Sequence, residues 1–296
     1  MRFFSTLALV VVATAGAASN AAVTEFDKTV AADPKGEVNI SNVAGHIKVT
    51  GWDRPEVQVK AVLSSGSQRV DVTGGPQRIV IKVVVPGMSW NDADVVLDVH
   101  VPKQSELQVT GSSADVETVQ VLGEQRLKSV SGTIHAELAA ADFEGKTVSG
   151  DITLRGTSQP ADLRVSTVSG SITLERGAGE LDATTVSGDL RAELSSARSV
   201  RMHTTSGDLH FRGTLDEGAT LEAETISGDV SVQARGKSGY EYEASSFSGE
   251  LENCFGKSSE STSQHGPGSR LTGTLGKGDA RIRAKSMSGD IQICDK

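Results

Sequence analysis

The chain has 296 residues, a formal net charge of −9 and only 4% aromatic residues. The negative charge argues against nucleic-acid partners and against electrostatic docking on anionic lipid. Few aromatic residues beside 32 glycines argue against a thick globular core and favour thin layers joined by tight turns.

The segment 1–22 has the pattern of a secretory signal peptide. Arg2 supplies a positive start, and the apolar stretch 7–15 is too short to span a bilayer. Small residues then offer cleavage sites near Ala21 or Ala22. Since no later segment is long and apolar enough to span a membrane, we predict a soluble bacterial protein that is exported to the periplasm or the cell surface.

Residues 23–110 hold five of the seven prolines and lack a short repeat. Within them, the stretch 41–52 still places Gly45, Ile47 and Val49 at alternating positions. Such alternation is typical of a strand with one buried face. We predict irregular β units that begin the same stack as the following repeats and cover its open end, because an uncovered sheet edge invites aggregation.

Residues 111–254 are organised by the phrase T-V-S-G-D-I, which recurs with a period near 20 residues. A degenerate copy begins at Ser113, and from there the serines of successive copies are 18, 18, 20, 18, 19, 21, 21 and 40 residues apart. The eight complete Ser-Gly pairs are Ser131 and Gly132, Ser149 and Gly150, Ser169 and Gly170, Ser187 and Gly188, Ser206 and Gly207, Ser227 and Gly228, Ser248 and Gly249, and Ser288 and Gly289.

Apolar and polar residues alternate on both sides of each pair, as at Leu163 and Val165 before one pair and at Ile172 and Leu174 after it. Two short strands and two corners in about 20 residues make one coil of a β-solenoid. A propeller blade would need about 40–50 residues, and a sandwich does not repeat one phrase this faithfully. The predicted fold is all-β: a parallel β-solenoid, or β-helix, with an irregular N-terminal β region and a C-terminal cap.

Each position of the phrase has a predicted role. Parity places the hydroxyl residue two before the Ser on the inner face, where neighbouring coils can hydrogen-bond. The next residue is predicted to fill the core, and Ser-Gly forms the bend because Gly tolerates φ > 0. The predicted inner hydroxyls are those of Ser129, Thr147, Thr167, Thr185, Thr204, Thr225, Ser246 and Ser286. The predicted core residues after them include Val148, Val168, Val186, Ile226, Phe247 and Met287.

An acidic residue follows most Ser-Gly pairs, which predicts a column of carboxylates. The column contains Asp115, Asp151, Asp189, Asp208, Asp229, Glu250 and Asp290. Stacked carboxylates could bind Ca²⁺ through their oxygens, but Asp also favours turns by bonding to nearby backbone N–H groups. Thr133 and Ser171 interrupt the column, and the calcium-binding phrase G-G-x-G-x-D is absent. The sequence therefore favours turn chemistry, with no metal or other cofactor.

No catalytic constellation stands out in the repeats. None of the repeated serines has the G-x-S-x-G frame of a hydrolase nucleophile. The histidines (46, 100, 135, 203, 210 and 265) form no H-E-x-x-H set, although His203 and His210 flank one turn. Trp52 suits either sugar stacking or local packing. Outward charges alternate in sign, as on an ordinary solvated face, at Arg155, Glu175, Arg191, Glu193 and Arg212.

Residues 255–296 are predicted to contain a loop insertion, 256–269, and a final capping coil. Cys254 and Cys294 each lie five residues after the Gly of their copy, so they share one register. If 256–279 is an excursion, their strands are parallel neighbours at about 4.8 Å, within the Cα range of a disulfide. Export favours this bridge over two free thiols.

The stretch NVAGHIKVTGWDRPEVQVKA (42–61), the serial T-V-S-G-D phrases and the export signal together resemble a bacterial family of exported or envelope proteins. That family is known as a putative adhesin domain of unknown function. The resemblance covers most of the mature chain, about 25–296. It implies a β-solenoid in the cell envelope and supplies no catalytic residues.

We therefore expect a non-enzymatic, exported β-solenoid that acts as a structural or adhesin-like binding module of the cell envelope. Regular outer faces suit repeated contacts with a glycan or an envelope protein. Two alternatives stay open. One is a polysaccharide-active β-helix enzyme with a cleft of converging carboxylates and bases, and the other is an envelope-stress sensor or chaperone-like partner. Nothing in the sequence fixes an oligomeric state.

Overall fold

The computed structural model describes residues 24–63, 68–85, 94–256, 260–261 and 268–295, so the predicted signal peptide lies outside the described residues. The described chain is all-β, which confirms the predicted class. Its strands are β1 Thr24–Ala31, β2 Glu37–Trp52, β3 Glu56–Leu63, β4 Arg69–Gly75, β5 Arg78–Val84, β6 Asp94–Pro102, β7 Glu106–Val119, β8 Gln125–Lys128, β9 Ile134–Glu137, β10 Phe143–Lys146, β11 Ile152–Arg155, β12 Ala161–Ser166, β13 Ile172–Thr184, β14 Leu190–His203, β15 Leu209–Glu224, β16 Val230–Gly236, β17 Gly239–Ser248, β18 Leu251–Asn253, β19 Glu260–Ser261, β20 Ser269–Gly276, β21 Ala280–Ser288 and β22 Ile291–Cys294. Within these ranges no helix has the length and apolar character that a bilayer crossing requires.

Successive copies of the phrase pair in parallel, with equivalent residues opposite one another. Ile152 lies between Ile134 and Ile172, and Leu190 follows Ile172 in the same column. We call each strand–corner–strand segment a unit. Because like positions pair, the apolar residues of neighbouring units lie over one another and are almost completely buried. The alternation seen in the sequence therefore builds a continuous core.

Some strands run through the second corner without interruption. β13, β14 and β15 each contain the second strand of one unit and the first strand of the next. Register shifts between Leu174 and Gly177 let β13 bend here, and Arg176 and Gly179 have positive φ values of 57° and 102°. Such irregularities bend a strand while keeping its pairing.

The N-terminal region joins the same sheet system. β2 pairs in parallel with β7 on one edge and with β5 and β6 on the other. Beyond these, the pairing becomes antiparallel: β3 pairs with β6 and β1, and β4 pairs with β5. Antiparallel strands thus flank the first parallel unit.

The order of the last two units in space is the reverse of their order in sequence. β21 pairs in parallel with β15 on one edge and β17 on the other, and β22 lies between β16 and β18. The segment 280–294 is therefore not the final capping coil that its position in the chain predicts. The outermost unit is formed by β17 and β18, and β20 pairs antiparallel along β17.

A column of alternating charges agrees with the position of the inserted unit. Successive residues at one outward position of the first strand are, in spatial order, Arg126, Glu144, Arg164, Asp182, Arg201, Glu222, Arg283 and Glu243. In chain order Glu222 would lie beside Glu243, where like charges repel. Insertion of Arg283 between them restores the alternation, with its guanidinium 3.8 Å from the Glu243 carboxylate.

The insertion also brings the two cysteines together. β18 and β22 are neighbours, and a disulfide joins Cys254 to Cys294 with a Cα–Cα distance of 5.0 Å. The bridge therefore connects the outermost unit to the inserted one. Of these two units only the outer one, 240–254, has a single parallel neighbour, and the bridge ties it to that neighbour.

Candidate functional site

The Ser-Gly corners line up along one edge of the units. Parallel bridges join Ser169 to Ser187, Ser187 to Ser206, and Ser227 to Ser288. The corner glycines permit this close stacking: Gly207 has φ of 147°, and a Cβ atom there would lie 2.1 Å from the carbonyl oxygen of the preceding unit's glycine. A side chain at this position would therefore force the units apart.

A buried column of hydroxyls lies inside the corner. Each hydroxyl donates a hydrogen bond to the carbonyl oxygen of the corner residue in the neighbouring unit. The bonds run from Ser129 to Ala114, Thr147 to Gly132, Thr167 to Gly150, Thr185 to Gly170, Thr204 to Gly188, Thr225 to Gly207, Ser286 to Gly228 and Ser246 to Gly289, at 3.0–3.4 Å. Units are thus joined as predicted, but the acceptor is a backbone carbonyl and not another hydroxyl.

The acidic residues of the corner also connect neighbouring units. The Oδ1 atom of each Asp accepts a hydrogen bond from the backbone N–H at the same position of the next unit. These acceptor–donor pairs, at 2.8–2.9 Å, are Asp115 with Thr133, Asp151 with Ser171, Asp189 with Asp208, Asp208 with Asp229, Asp229 with Asp290 and Asp290 with Glu250. The donors belong to the adjacent unit and not to the same turn, which refines the turn chemistry predicted from sequence.

The residue after each hydroxyl projects into solvent. The prediction that these residues fill the core is wrong, because a residue that follows an inward side chain on an extended backbone points outward. We call the resulting line the corner ridge. Its members and exposed fractions are Val130 48%, Val148 45%, Val168 46%, Val186 48%, Ile226 48%, Met287 58% and Phe247 57%. Thr205 occupies the place between Val186 and Ile226.

A carboxylate row runs parallel to the corner ridge. We apply this name to the uninterrupted acids of the last five units, Asp189, Asp208, Asp229, Asp290 and Glu250. Among the described residues, none of the ion pairs includes these five carboxylates. The corner surface therefore combines exposed apolar side chains with unpaired negative charge.

The other sites considered from sequence have local partners. The Trp52 indole N–H donates to the Glu56 carbonyl oxygen, the Arg54 guanidinium lies 4.9 Å from its ring, and His100 packs against it at 5.1 Å. These contacts fix the orientation of the indole ring, and Trp52 also lines an open depression of about 440 Å³ together with Pro34, Pro55 and Leu122. The structure is therefore compatible with both alternatives for Trp52. The part of the chain that the structure describes contains no group of three His, Cys, Asp or Glu side chains arranged to hold a metal; His265 lies outside it.

Charged residues on the outward faces pair across neighbouring units. Arg155 Nε lies 3.3 Å from Glu175 Oε2. An open depression of about 550 Å³ lies over β17, β20 and β21. Within it the Glu243 carboxylate forms ion pairs with Arg270 and Arg283. A smaller depression of about 200 Å³ is lined by the predicted outward residues Arg191, Glu193 and Arg212 together with His210. His203 is exposed on the other side of that corner.

Burial and hydrogen bonding shift the pKa of several groups away from the corner. Burial raises the pKa of the Tyr240 hydroxyl well above its usual range. At the second corner, a hydrogen bond from Lys237 holds the pKa of the Asp216 carboxyl below its usual value, and Ser196 donates to the same carboxylate. Asp216 thereby links residues from three consecutive units.

A family model described as Toastrack DUF4097 matches residues 37–294. The chain belongs to this family. The match covers both the N-terminal region and the repeats, which agrees with the shared sheet of β2, β7 and the following units. No curated protein matches the chain.

Solved structures that are similar to the chain share little of its sequence. A putative adhesin from Bacteroides fragilis NCTC 9343 is 12% identical, with a TM-score of 0.45, and the alignment covers 92% of this chain and 97% of that one. A putative lipid binding protein from Parabacteroides distasonis ATCC 8503 is 12% identical, with a TM-score of 0.49 and coverage of 91% and 96%. A putative cell adhesion protein from Clostridium sporogenes ATCC 15579 is 12% identical, with a TM-score of 0.33 and coverage of 93% and 100%.

Proposed function

We propose that the Toastrack chain is an exported β-solenoid that serves as a non-enzymatic, adhesin-like binding module of the bacterial cell envelope. The observation that carries this proposal is the corner ridge. Its half-exposed apolar side chains line up in successive units with one interruption at Thr205, and contiguous exposed apolar surface on a soluble protein marks an interaction site.

The solenoid architecture is supported by the in-register parallel pairing of the units and by their common hydrogen-bonded corners. In this arrangement residues 1–22 are the export signal, 23–110 begin the solenoid, and 111–254 form its regular part. Each unit buries its apolar face only against its neighbours, so the stack is the folding unit.

Binding is favoured over catalysis by what the polar groups of the corner already do. The hydroxyls donate to backbone carbonyls, and the Asp carboxylates accept backbone N–H groups. Such groups are fixed as structural ties and are poorly placed to act as nucleophile or general base. A ridge repeated every 4.8 Å or so instead suits many weak, equivalent contacts with a glycan or an envelope protein.

The direct test is equilibrium binding to a glycan array and to purified envelope proteins. We expect the chain with Val148→Ser, Val168→Ser and Val186→Ser to lose binding while it stays folded. The matched control is Val62→Ser with Val96→Ser, because these paired valines are equally exposed but lie on β3 and β6, away from the ridge. Equal binding by the ridge variant and the control would contradict the proposal.

Enzyme activity is tested separately. Purified chain should release no reducing ends from acidic or cell-wall polysaccharides over prolonged incubation. Turnover that persists after further purification would contradict the non-enzymatic part of the proposal.

Fractionation of the native host should place the mature chain in the periplasm or at the cell surface, and a cytoplasmic location would contradict export.

A further inference from the structure

We propose that the C-terminal end of the corner ridge binds a basic amphipathic helix of a protein partner. This inference rests on the proposed binding function and names the class of partner. The surface involved, which we call the end patch, consists of three apolar residues, Ile226, Met287 and Phe247, and the three acids of the same units, Asp229, Asp290 and Glu250.

The three apolar residues form a continuous contact surface. Their units are direct neighbours, since Ser227 pairs with Ser288 and Ser288 pairs with Ser248. Their side chains are 48–58% exposed and are larger than the valines of the rest of the ridge. Phe and Met are enriched in protein–protein interfaces, and a cluster of such side chains is typical of the energetic centre of a contact.

The charge beside these residues selects a basic partner. Asp229 and Asp290 each use Oδ1 to accept one backbone N–H at 2.8 Å, and no Lys or Arg of the described chain lies within ion-pair distance of them. The next outward position of the same units holds Ser231, Gln292 and Glu252, which add no positive charge. Lys or Arg side chains of a partner would therefore meet uncompensated carboxylates.

The spacing of the end patch matches a helix better than a strand. Parallel units repeat at about 4.8 Å, so the three apolar residues span about 9.6 Å. Helix positions i, i+3 and i+7 rise by about 4.5 and 10.5 Å along the axis, which follows this repeat within about 1 Å. Side chains on one face of a strand recur at about 6.6 Å or more. This spacing is larger than the repeat of the units, so the side chains of a strand no longer lie over the third unit.

A second copy of the chain is a poorer occupant. It would bring an identical carboxylate row from a protein whose net charge is already −9. When two ridges pack antiparallel, the two rows lie on the same side of the contact and repel each other. The end patch is thus complementary to a partner of opposite charge.

The test uses the full mature chain and a synthetic 18-residue helical peptide with Leu at i, i+3 and i+7 and Lys on the flanking positions. A peptide of the same composition in scrambled, non-amphipathic order is the control. We expect binding of the amphipathic peptide by fluorescence anisotropy, a loss of at least about tenfold in affinity with Ile226→Ser and Met287→Ser, and a marked weakening as salt is raised.

Two matched variants separate the contributions. Asp229→Asn with Asp290→Asn keeps an acceptor oxygen for the backbone N–H and should weaken peptide binding while removing much of its salt dependence. Val62→Ser with Val96→Ser should leave binding unchanged. The inference is overturned if the scrambled peptide binds equally well, if the end-patch variants bind normally, or if sedimentation shows that the ridge instead joins two copies of the chain. In any of these cases, the Val148, Val168 and Val186 variant is compared separately for glycan and envelope-protein binding. If that variant still loses this binding, the proposed function stands and only the helix partner is rejected.

Discussion

At the residue scale, one buried hydroxyl in each unit ties two units together. Thr204 has no exposed surface, and its Oγ1 donates to the carbonyl oxygen of Gly188 at 3.3 Å. A buried carbonyl left without its donor destabilises a protein by about 1–3 kcal/mol. The column of such bonds therefore specifies that Thr or Ser, and not an apolar residue of the same shape, occupies the inner position.

Replacement of this hydroxyl by a methyl group measures its contribution. Thr204→Val should lower the free energy of unfolding by about 1 kcal/mol, because the Gly188 carbonyl loses its side-chain donor. Thr205→Val is the matched control, since Thr205 is exposed at the next position and the substitution should be nearly neutral. Urea unfolding of both variants checks this, and equal stability of Thr204→Val and the parent chain would contradict the assigned role.

The corner glycines should be similarly intolerant. In Gly207→Ala the new Cβ atom would lie 2.1 Å from the Gly188 carbonyl oxygen at a φ of 147°. We expect a loss of at least about 2 kcal/mol from the combined clash and strain. Gly75→Ala, where nothing lies within 4 Å of the added atom, is the control and should change stability little. Thermal unfolding that ranks the two variants in the opposite order would be incompatible with the close stacking of the corners.

Asp216 gives the fold a defined pH response. A hydrogen bond from Lys237 lowers the pKa of this carboxyl, so its contribution to stability is present above the unfolded-state pKa and disappears as pH falls through the folded-state pKa. Asp216→Asn should therefore reduce the melting temperature at pH 7 and have a progressively smaller effect below about pH 4. The control Asp53→Asn alters an exposed ion pair. A pH-independent difference for Asp216→Asn would exclude this linkage.

Neighbouring residues of one phrase show what sequence could and could not predict. Thr147 was placed correctly on the inner face by parity, and the same parity indicates that Val148 points outward. The hydrophobic character of Val148 led to the opposite and wrong prediction. Buried positions are mostly apolar, but many apolar side chains nevertheless remain exposed. At this corner the backbone geometry determines the direction in which the side chain points.

At the element scale, the inserted unit shows how charge can specify the order of strands. Arg283 lies between Glu222 and Glu243, and Lys285 Nζ lies 2.7 Å from Glu224 Oε1. Each cross-strand ion pair on a partly exposed surface stabilises the chain by only a few tenths of a kcal/mol. In the chain-order arrangement like charges would be neighbours, and their contribution to stability would be unfavourable. The alternating column therefore favours one arrangement of units whose cores are otherwise similar.

Reversal of the central charge tests this explanation. Arg283→Glu should destabilise the chain by about 1 kcal/mol, because it creates like-charge contacts with both neighbouring units. The effect should shrink when salt is raised well above 0.15 M. Arg235→Glu, an exposed position whose strand partner is Thr214, is the control. If the two variants have the same stability at low salt, the column does not select the order of units.

The position of this unit could not be read from chain order. The regular spacing of Ser187, Ser206 and Ser227 predicts that each new unit adds to the outer edge of the last one. The final 40-residue interval departs from this rule, and the pairing of β21 with β15 and β17 shows where the unit enters. The shared register of Cys254 and Cys294 does not distinguish between the two possible orders of these units. The two cysteines are neighbours whichever unit is outermost.

At the scale of the whole molecule, the fold and the proposed binding surface depend on the same arrangement. The residues of the corner ridge line up only because equivalent positions of successive units align. The end patch exists only because the unit with Met287 lies between those with Ile226 and Phe247. The all-β class and the repeat were evident from the periodic phrase. The surface was not, since it is created by the order in which units meet.

Cysteine pairs in the corner ridge test this arrangement most directly. In Ile226→Cys with Met287→Cys, the two positions lie in adjacent units about 4.8 Å apart and should form a disulfide under mild oxidation, detected by mass spectrometry. In Ile226→Cys with Phe247→Cys they lie two units apart, at about 9.6 Å, beyond the reach of a disulfide. Rapid bridging of the second pair and not of the first would contradict both the inserted unit and the end patch.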